Sequence, residues 1–159
     1  MGARRRAREC ALMTLYSVDV AGIWADTALE RFFSSFADGE PLDPPPSWAP
    51  ASAHKKGFRI KPEHAEIREY AAQLVEGVGR NAEEIDAVIT GISKNWRLAR
   101  MAIVDRNVLR LAVFELTHMT DDVPRNVVIN EAIDVAKRFG TAESGAFING
   151  ILDRIGKTK

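Results

Sequence analysis

One cysteine, Cys10, stands alone in 159 residues. No intramolecular disulfide can brace this fold, and a lone thiol fits the reducing conditions of a cytoplasmic compartment. Three histidines, His54, His64 and His118, are spread along the chain. No pair of them has metal-ligand spacing, and one cysteine cannot build a zinc site, so no metal or other cofactor is expected. Net charge is absent as well, with 22 basic residues against 22 acidic ones. The total therefore argues neither for nor against a polyanionic partner. No segment approaches the ~20 uninterrupted apolar residues of a membrane span. The arginines ahead of Cys10-Ala-Leu-Met-Thr-Leu imitate an export leader, but Asp19 interrupts the apolar run and the apolar positions repeat with a helical period. This reads as a mature first helix.

The chain does have helical periodicity. At 46% hydrophobic and 28% charged residues it can bury a core as one domain, or as two small helical subdomains sharing an interface. Ala7, Ala11, Thr14, Leu15 and Val18 form one stripe of a helix over residues 3–20. A short helix is expected after Asp26, burying Leu29, Phe32, Phe33 and Phe36. The pattern then stops. Six of the seven prolines fall between Pro41 and Pro62, so residues 38–61 read as an extended linker that Trp48 and Phe58 tack onto the surface.

Pro62 suits a first helical position, and Ile67, Tyr70, Ala71, Leu74, Val75 and Val78 make the next stripe. Asn81 with Glu84 three residues on looks like a capping box ahead of Ile85, Val88, Ile89 and Ile92. Val104, Val108, Leu111, Ala112 and Glu115, flanked by Leu109, Phe114 and Leu116, mark a central helix that is apolar on most sides. Asp121-Asp122-Val123-Pro124 ends it. A further helix carries Ile129, Ala132, Ile133 and Ala136, with Gly140 placed for a left-handed cap. The last helix carries Phe147, Ile148, Ile151, Leu152 and Ile155. The expectation is an all-α, seven-helix bundle of two packed helical subdomains, residues 1–80 with the insert 38–61 and residues 81–159.

Catalytic groupings are missing. Gly77-Val78-Gly79 lacks the preceding strand and third glycine of a dinucleotide site and reads as a helix end. Glu83 and Glu84 favour a helix N-terminus, and Glu131 and Asp134 read as a solvated face. Asp105 and Glu115 sit in basic or apolar surroundings. They are expected to pair with Arg100, Arg106 or Arg110 and order the bundle, or alternatively to meet a protein partner.

Charge distribution is more telling than its sum. Arg4, Arg5, Arg6 and Arg8 precede the first acid, Glu9, and a second basic stretch runs through Lys94, Arg97, Arg100, Arg106 and Arg110 against Asp105 alone. On a helix Arg4 and Arg8 share a face, with Arg5 adjoining. Their planar forks suit phosphate, and Tyr16, two turns on, offers a face for an unpaired base. Against this stands a plain solvated basic terminus. A second candidate surface is the turn from Phe139 through Glu143 to Phe147, where helix-start N–H groups can hold a phosphate. Here the alternative is an ordinary cap with Phe147 in the core.

These residues carry a family resemblance. Arg4-Arg5-Arg6-Ala7-Arg8-Glu9 with Leu15-Tyr16, Asn95-Trp96-Arg97-Leu98, Arg100-Met101, and Val104-Asp105-Arg106-Asn107-Val108-Leu109-Arg110-Leu111-Ala112 occur in order. Asp122-Val123-Pro124, Ile129-Asn130-Glu131-Ala132-Ile133, Ala136-Lys137-Arg138-Phe139-Gly140 and Phe147-Ile148-Asn149-Gly150-Ile151-Leu152-Asp153 follow them. Outside the linker the chain resembles the NusB family.

The resemblance implies a transcription antitermination factor, not an enzyme. It would bind single-stranded boxA RNA together with NusE, a small-subunit ribosomal protein, within a complex of RNA polymerase and other Nus factors, in support of ribosomal RNA transcription. By the same resemblance Arg4, Arg5, Arg8 and Tyr16 are RNA contacts, as are Phe139, Glu143 and Phe147, while Asp105 faces NusE. The insert 38–61 is longer and richer in proline than the family pattern, and Glu143 stands where an aspartate is expected. The alternatives are the RNA-binding domain of a ribosomal RNA cytosine methyltransferase, for which no Gly-rich βαβ unit is present, and a helical adaptor that binds protein alone.

Overall fold

The computed structural model describes residues 3–22, 65–93 and 96–157. Within them are six α-helices: α1 (Ala3–Ala21), α2 (Ala65–Arg80), α3 (Ala82–Ile92), α4 (Ile103–His118), α5 (Arg125–Phe139) and α6 (Ser144–Lys157), with a 3₁₀ turn at Leu98–Arg100 before α4. No strand occurs among the described residues. The all-α class holds. The remaining expected helix, with Leu29, Phe32, Phe33 and Phe36, lies outside the described residues, as do Pro62, His54, His64 and the insert 38–61.

The stripes read from periodicity are the buried faces. Ala7, Ala11, Thr14 and Leu15 of α1 are buried, as are Ile67, Tyr70, Ala71, Leu74, Val75 and Val78 of α2. Central position belongs to α4, which packs on α1, α2, α3, α5 and α6. It is buried almost without interruption from Asn107 to Leu116, which explains why its sequence shows no clean polar face. Leu74, Leu109, Ile148 and Leu152 are wholly enclosed, each worth about 1.5–3 kcal/mol of transfer free energy. Cys10 is buried in the same core, and burial pushes its thiol up to about 12.

Three local expectations are corrected. Asn81 does not cap α3; its Nδ2 donates to the Gly77 carbonyl at 2.8 Å and so closes the end of α2. Gly140 ends α5 at φ −99°, an extended conformation open to any residue. It is glycine for want of space, since a Cβ there would lie 2.4 Å from Ser144 Oγ and 2.8 Å from the Ala136 carbonyl oxygen. The left-handed cap is instead Gly22, at φ +69°, which closes α1 through its N–H to the Val18 carbonyl.

The third correction concerns charge. Arg106 and Arg110 pair with neither Asp105 nor Glu115, whose partner is Arg8 of α1. Arg106 donates twice to Asp19 at the end of α1, both at 2.6 Å, and Asn107 adds a third donor at 2.9 Å. Arg110 bridges Asp19 at 3.2 Å and Asp86 of α3 at 2.9 Å. Two members of the apparent basic stretch are therefore neutralised within the fold. Burial pushes the Asp19 carboxyl up, but Arg106 and Asn107 outweigh it and hold the group below the usual aspartate range.

Candidate nucleic-acid interface

Arg8 pairs with Glu115, and Asp19 pairs with Arg106, so α1 and α4 run antiparallel. Arg5 reaches Glu131 and Asp134, and Glu9 reaches Arg138, so α1 and α5 run parallel. These two registers place every candidate. Arg4 and Arg5 lie beside the start of α5, and Phe139 ends that helix beyond the Glu9–Arg138 pair. Tyr16 and Asp105 lie toward the other end of α1, one turn from Asp19 and beside Arg106 respectively.

The four N-terminal arginines are not equivalent. Arg8 is 5% exposed. Its Nε and Nη2 donate to the two carboxylate oxygens of Glu115 at 2.9 and 2.8 Å, and Tyr70 Oη donates to the same carboxylate at 2.9 Å. Burial works against the Arg8 charge, but the Glu115 hydrogen bonds outweigh it and raise its pKa. Burial, aided by the Glu115 charge, pushes the Tyr70 phenol up to about 12, so it remains a donor at physiological pH. Every strong donor direction of Arg8 that the structure records points inward.

Arg4 is exposed. Its guanidinium lies over the Tyr70 ring at 5.0 Å, and Nη1 donates to the Asp122 carbonyl at 3.3 Å. Arg5 is half-buried and donates to Glu131 at 2.7 and 3.2 Å and to Asp134 at 2.8 Å. The Glu131 hydrogen bond outweighs desolvation and holds Arg5 above its ordinary pKa. Glu131 and Asp134 are thus engaged, where their spacing alone suggested a solvated face. Arg6 is exposed.

Between these side chains lies an open groove of about 350 Å³, lined by Arg4, Arg5, Arg8, Val123, Pro124, Val127 and Glu131. Cations on one wall and Val123-Pro124-Val127 on the other suit a phosphate with an attached sugar or base. Tyr70 is the residue that sequence reasoning missed here. It read as core, and only its reach across to Arg4, Arg8 and Glu115 gives it a second role.

The turn after α5 is built by Ser144, whose Oγ accepts from the Thr141 N–H at 2.9 Å. Glu143 is exposed and takes the Thr141 hydroxyl at 3.2 Å. Phe139 and Phe147 are partly buried against the core. The Arg138 guanidinium lies over the Phe139 ring at 5.6 Å while pairing with the Glu9 carboxylate at 2.6 Å. Tyr16 is partly buried. Asp105 is partly buried too, and its Oδ1 is shut from solvent with no hydrogen-bond donor among the described residues. Among the described residues no cluster of histidine, cysteine or carboxylate could hold a metal ion, and no helix is long and apolar enough to cross a membrane.

Comparison with known proteins gives a consistent answer. The family model described as "NusB family" matches residues 5–157. A transcription antitermination protein NusB from Geotalea daltonii is 47% identical over 98% of this chain and 94% of its own length. That from Geotalea uraniireducens is 48% identical with the same coverage. NusB of T. maritima superposes with a TM-score of 0.73 at 34% identity, over 97% of this chain and 90% of that one. A crystal structure of the antitermination factors NusB and NusE in complex with double-stranded RNA superposes with a TM-score of 0.72 at 28% identity, covering 100% and 99%. With the family model covering residues 5–157 and so reaching into all six described helices, this chain belongs to the NusB family.

Proposed function

We propose that this protein is a transcription antitermination factor that binds single-stranded boxA RNA jointly with NusE, within the transcription complex that makes ribosomal RNA. It works in the cytoplasm by association, with no bond made or broken. The observation that carries this reading is the groove in which the exposed Arg4 and the half-buried Arg5 face the apolar wall of Val123, Pro124 and Val127. Full-length similarity to proteins named for antitermination, and to a factor solved with NusE and RNA, supports it.

In this reading Arg4 and Arg5 supply phosphate contacts, Arg8 sets their stage from beneath, and Tyr16, Phe139 and Phe147 offer stacking faces. Glu143 accepts from base edges at the turn. Asp105, partly buried in the first turn of α4, faces NusE. Residues 1–80 then contribute the arginines and residues 81–159 the turn and the partner surface.

The test is fluorescence anisotropy with a short boxA strand and a scrambled control, with and without NusE, at two salt concentrations. Preference for boxA that strengthens with NusE is the expected result. Arg4→Ala should weaken binding by about 1–3 kcal/mol and flatten the salt dependence by roughly 0.7 in log–log slope, as loss of one single-strand phosphate contact requires. Equal affinity for both strands, unmoved by NusE, would overturn the assignment.

A further inference from the structure

Trp96 is 54% exposed, an unusual position for the largest apolar side chain. It is not loose. Its N–H donates to the Ser93 carbonyl at 2.8 Å, and the buried Ser93 hydroxyl donates back to the Trp96 carbonyl at 3.0 Å. The indole meets the Phe147 ring edge-to-face, centroids 5.9 Å apart at 77°, and Phe147 itself packs on the core. The ring is thus held in place while much of it stays in water, so the ordering that a bound base would otherwise impose is already done.

Its surroundings are cationic and open. Phe147, Gly150 and Arg154 fall at i, i+3 and i+7 on one face of α6. Arg154 donates to the Ile92 carbonyl at 3.2 Å, which brings its guanidinium to the same end of α3 that carries Ser93 and Trp96. Between Phe147 and Arg154, nothing lies within 4 Å of where a Gly150 side chain would begin. Arg97, just before the 3₁₀ turn, and Arg100, its last residue, are exposed and make no ion pair among the described residues. Of the nearby acids, Asp153, next to Arg154 in sequence, faces Arg125 at 3.8 Å, and Glu143, one turn before Phe147, takes the Thr141 hydroxyl.

We propose that Trp96, braced by Phe147 and flanked by Arg154, is a stacking platform for an unpaired RNA base, and that it extends the RNA track beyond the N-terminal arginines. The inference rests on the RNA-binding function proposed above. The Arg4 groove lies at the start of α5 and Phe147 follows its end, a helix of 15 residues and hence about 22 Å. The two sites would therefore engage different nucleotides of one strand. A base is favoured over a protein contact because no other large apolar side chain is exposed beside the indole among the described residues, while Arg154 brings a cation to it. The other large apolar side chains exposed among the described residues, Val20 and Val127, are on α1 and in the Arg4 groove. A protein hot spot would instead be ringed by further apolar contacts.

The test uses the full chain with NusE, a boxA strand long enough to span both sites, and a strand truncated at the end distal to the Arg4 groove. Trp24→Phe with Trp48→Phe leaves Trp96 as the one indole of three. Its emission should be quenched by the long strand and not by the short one. Trp96→Ala should weaken the long strand by about 5- to 150-fold, the worth of one base–aromatic stack, with Trp96→Phe retaining most of the affinity. Arg154→Ala should weaken it less and flatten its salt dependence. Far-UV circular dichroism checks that each variant keeps its helices. If Trp96→Ala leaves RNA affinity unchanged while Arg4→Ala lowers it, the platform is wrong and the RNA-binding function stands. If Trp96→Ala impairs NusE association alone, the surface is a protein contact and the proposal fails. If no RNA binds under any condition, both readings fall together.

Discussion

Glu115 is 2% exposed in the last turn of α4, where a lone carboxylate could not stay charged. It is supported by the two-pronged donation from Arg8 and by the Tyr70 hydroxyl. Removing one partner leaves the other charge buried and unpaired, whereas removing both leaves no buried charge and only the Tyr70 hydroxyl without its acceptor. Arg8→Met should therefore destabilise the fold by about 3–5 kcal/mol in urea unfolding, and Arg8→Met with Glu115→Leu should recover most of that loss. A double variant no more stable than the single one would show that the pair does more than neutralise itself. Loss of RNA binding in Arg8→Met would thus report on folding, whereas Arg4 can be removed with little effect on stability. Arg5 stands between these extremes, because Glu131 and Asp134 hold a guanidinium that phosphate would compete for. Exposed or half-exposed pairs of this kind are worth about 0–1 kcal/mol. Glu131→Gln with Asp134→Asn should accordingly cost little stability and raise RNA affinity several-fold in the anisotropy titration. A drop in affinity would mean that the two acids orient Arg5 for its contact.

Helices that cross closely do so over glycines, but not over all of them. A Cβ on Gly77 of α2 would fall 2.1 Å from the Phe114 ring of α4, in a packed core where neither can retreat. On Gly91 of α3 it would meet nothing within 4 Å. Gly77→Ala should destabilise by about 1–3 kcal/mol through overpacking. Gly91→Ala should stabilise by roughly 0.5–1 kcal/mol by restricting the unfolded chain and favouring the helix. Thermal melts of the two variants shifting in the same direction would contradict this. The contrast marks what the sequence carries openly. Apolar period alone located the helices and the buried faces of α2, α4 and α6, because that signal is local. The pairings were not legible, since Arg8–Glu115 spans 107 positions and Arg106–Asp19 spans 87. Two arginine-bearing stretches therefore read as basic patches, although Arg8 in the first and Arg106 and Arg110 in the second face carboxylates from other helices. Asn81 and Gly140 misled for a related reason. Their residue types fit several terminal geometries, and the neighbouring side chains decide which one forms.

Across the whole molecule, Asp19 ties α1 to α4, and through Arg110 and Asp86 the same network reaches α3. Its response to acid follows from the direction of its shift. The Asp19 carboxyl titrates below its ordinary 3.8 in the fold, so between that value and its lowered one the unfolded chain binds the extra proton. Its contribution is complete above the ordinary value and is lost as pH falls through the lowered one. Glu9 acts in the opposite sense. Burial outweighs Arg138 and raises its pKa above the ordinary 4.5, so the folded chain takes up the proton first. Falling pH through that higher window relieves a buried charge and adds stability. Together the two groups set the direction of the profile. Urea midpoints should hold or rise from neutral pH toward about 4.5 and then fall below about 3.8. Asp19→Asn should lower the plateau but flatten the acid-side fall, because the variant has no carboxylate there to protonate. Glu9→Gln should remove the rise and leave the fall. An Asp19→Asn profile that drops as steeply as the parent's below the ordinary aspartate value would move the acid sensitivity away from the α1–α4 junction and onto other carboxylates of the bundle.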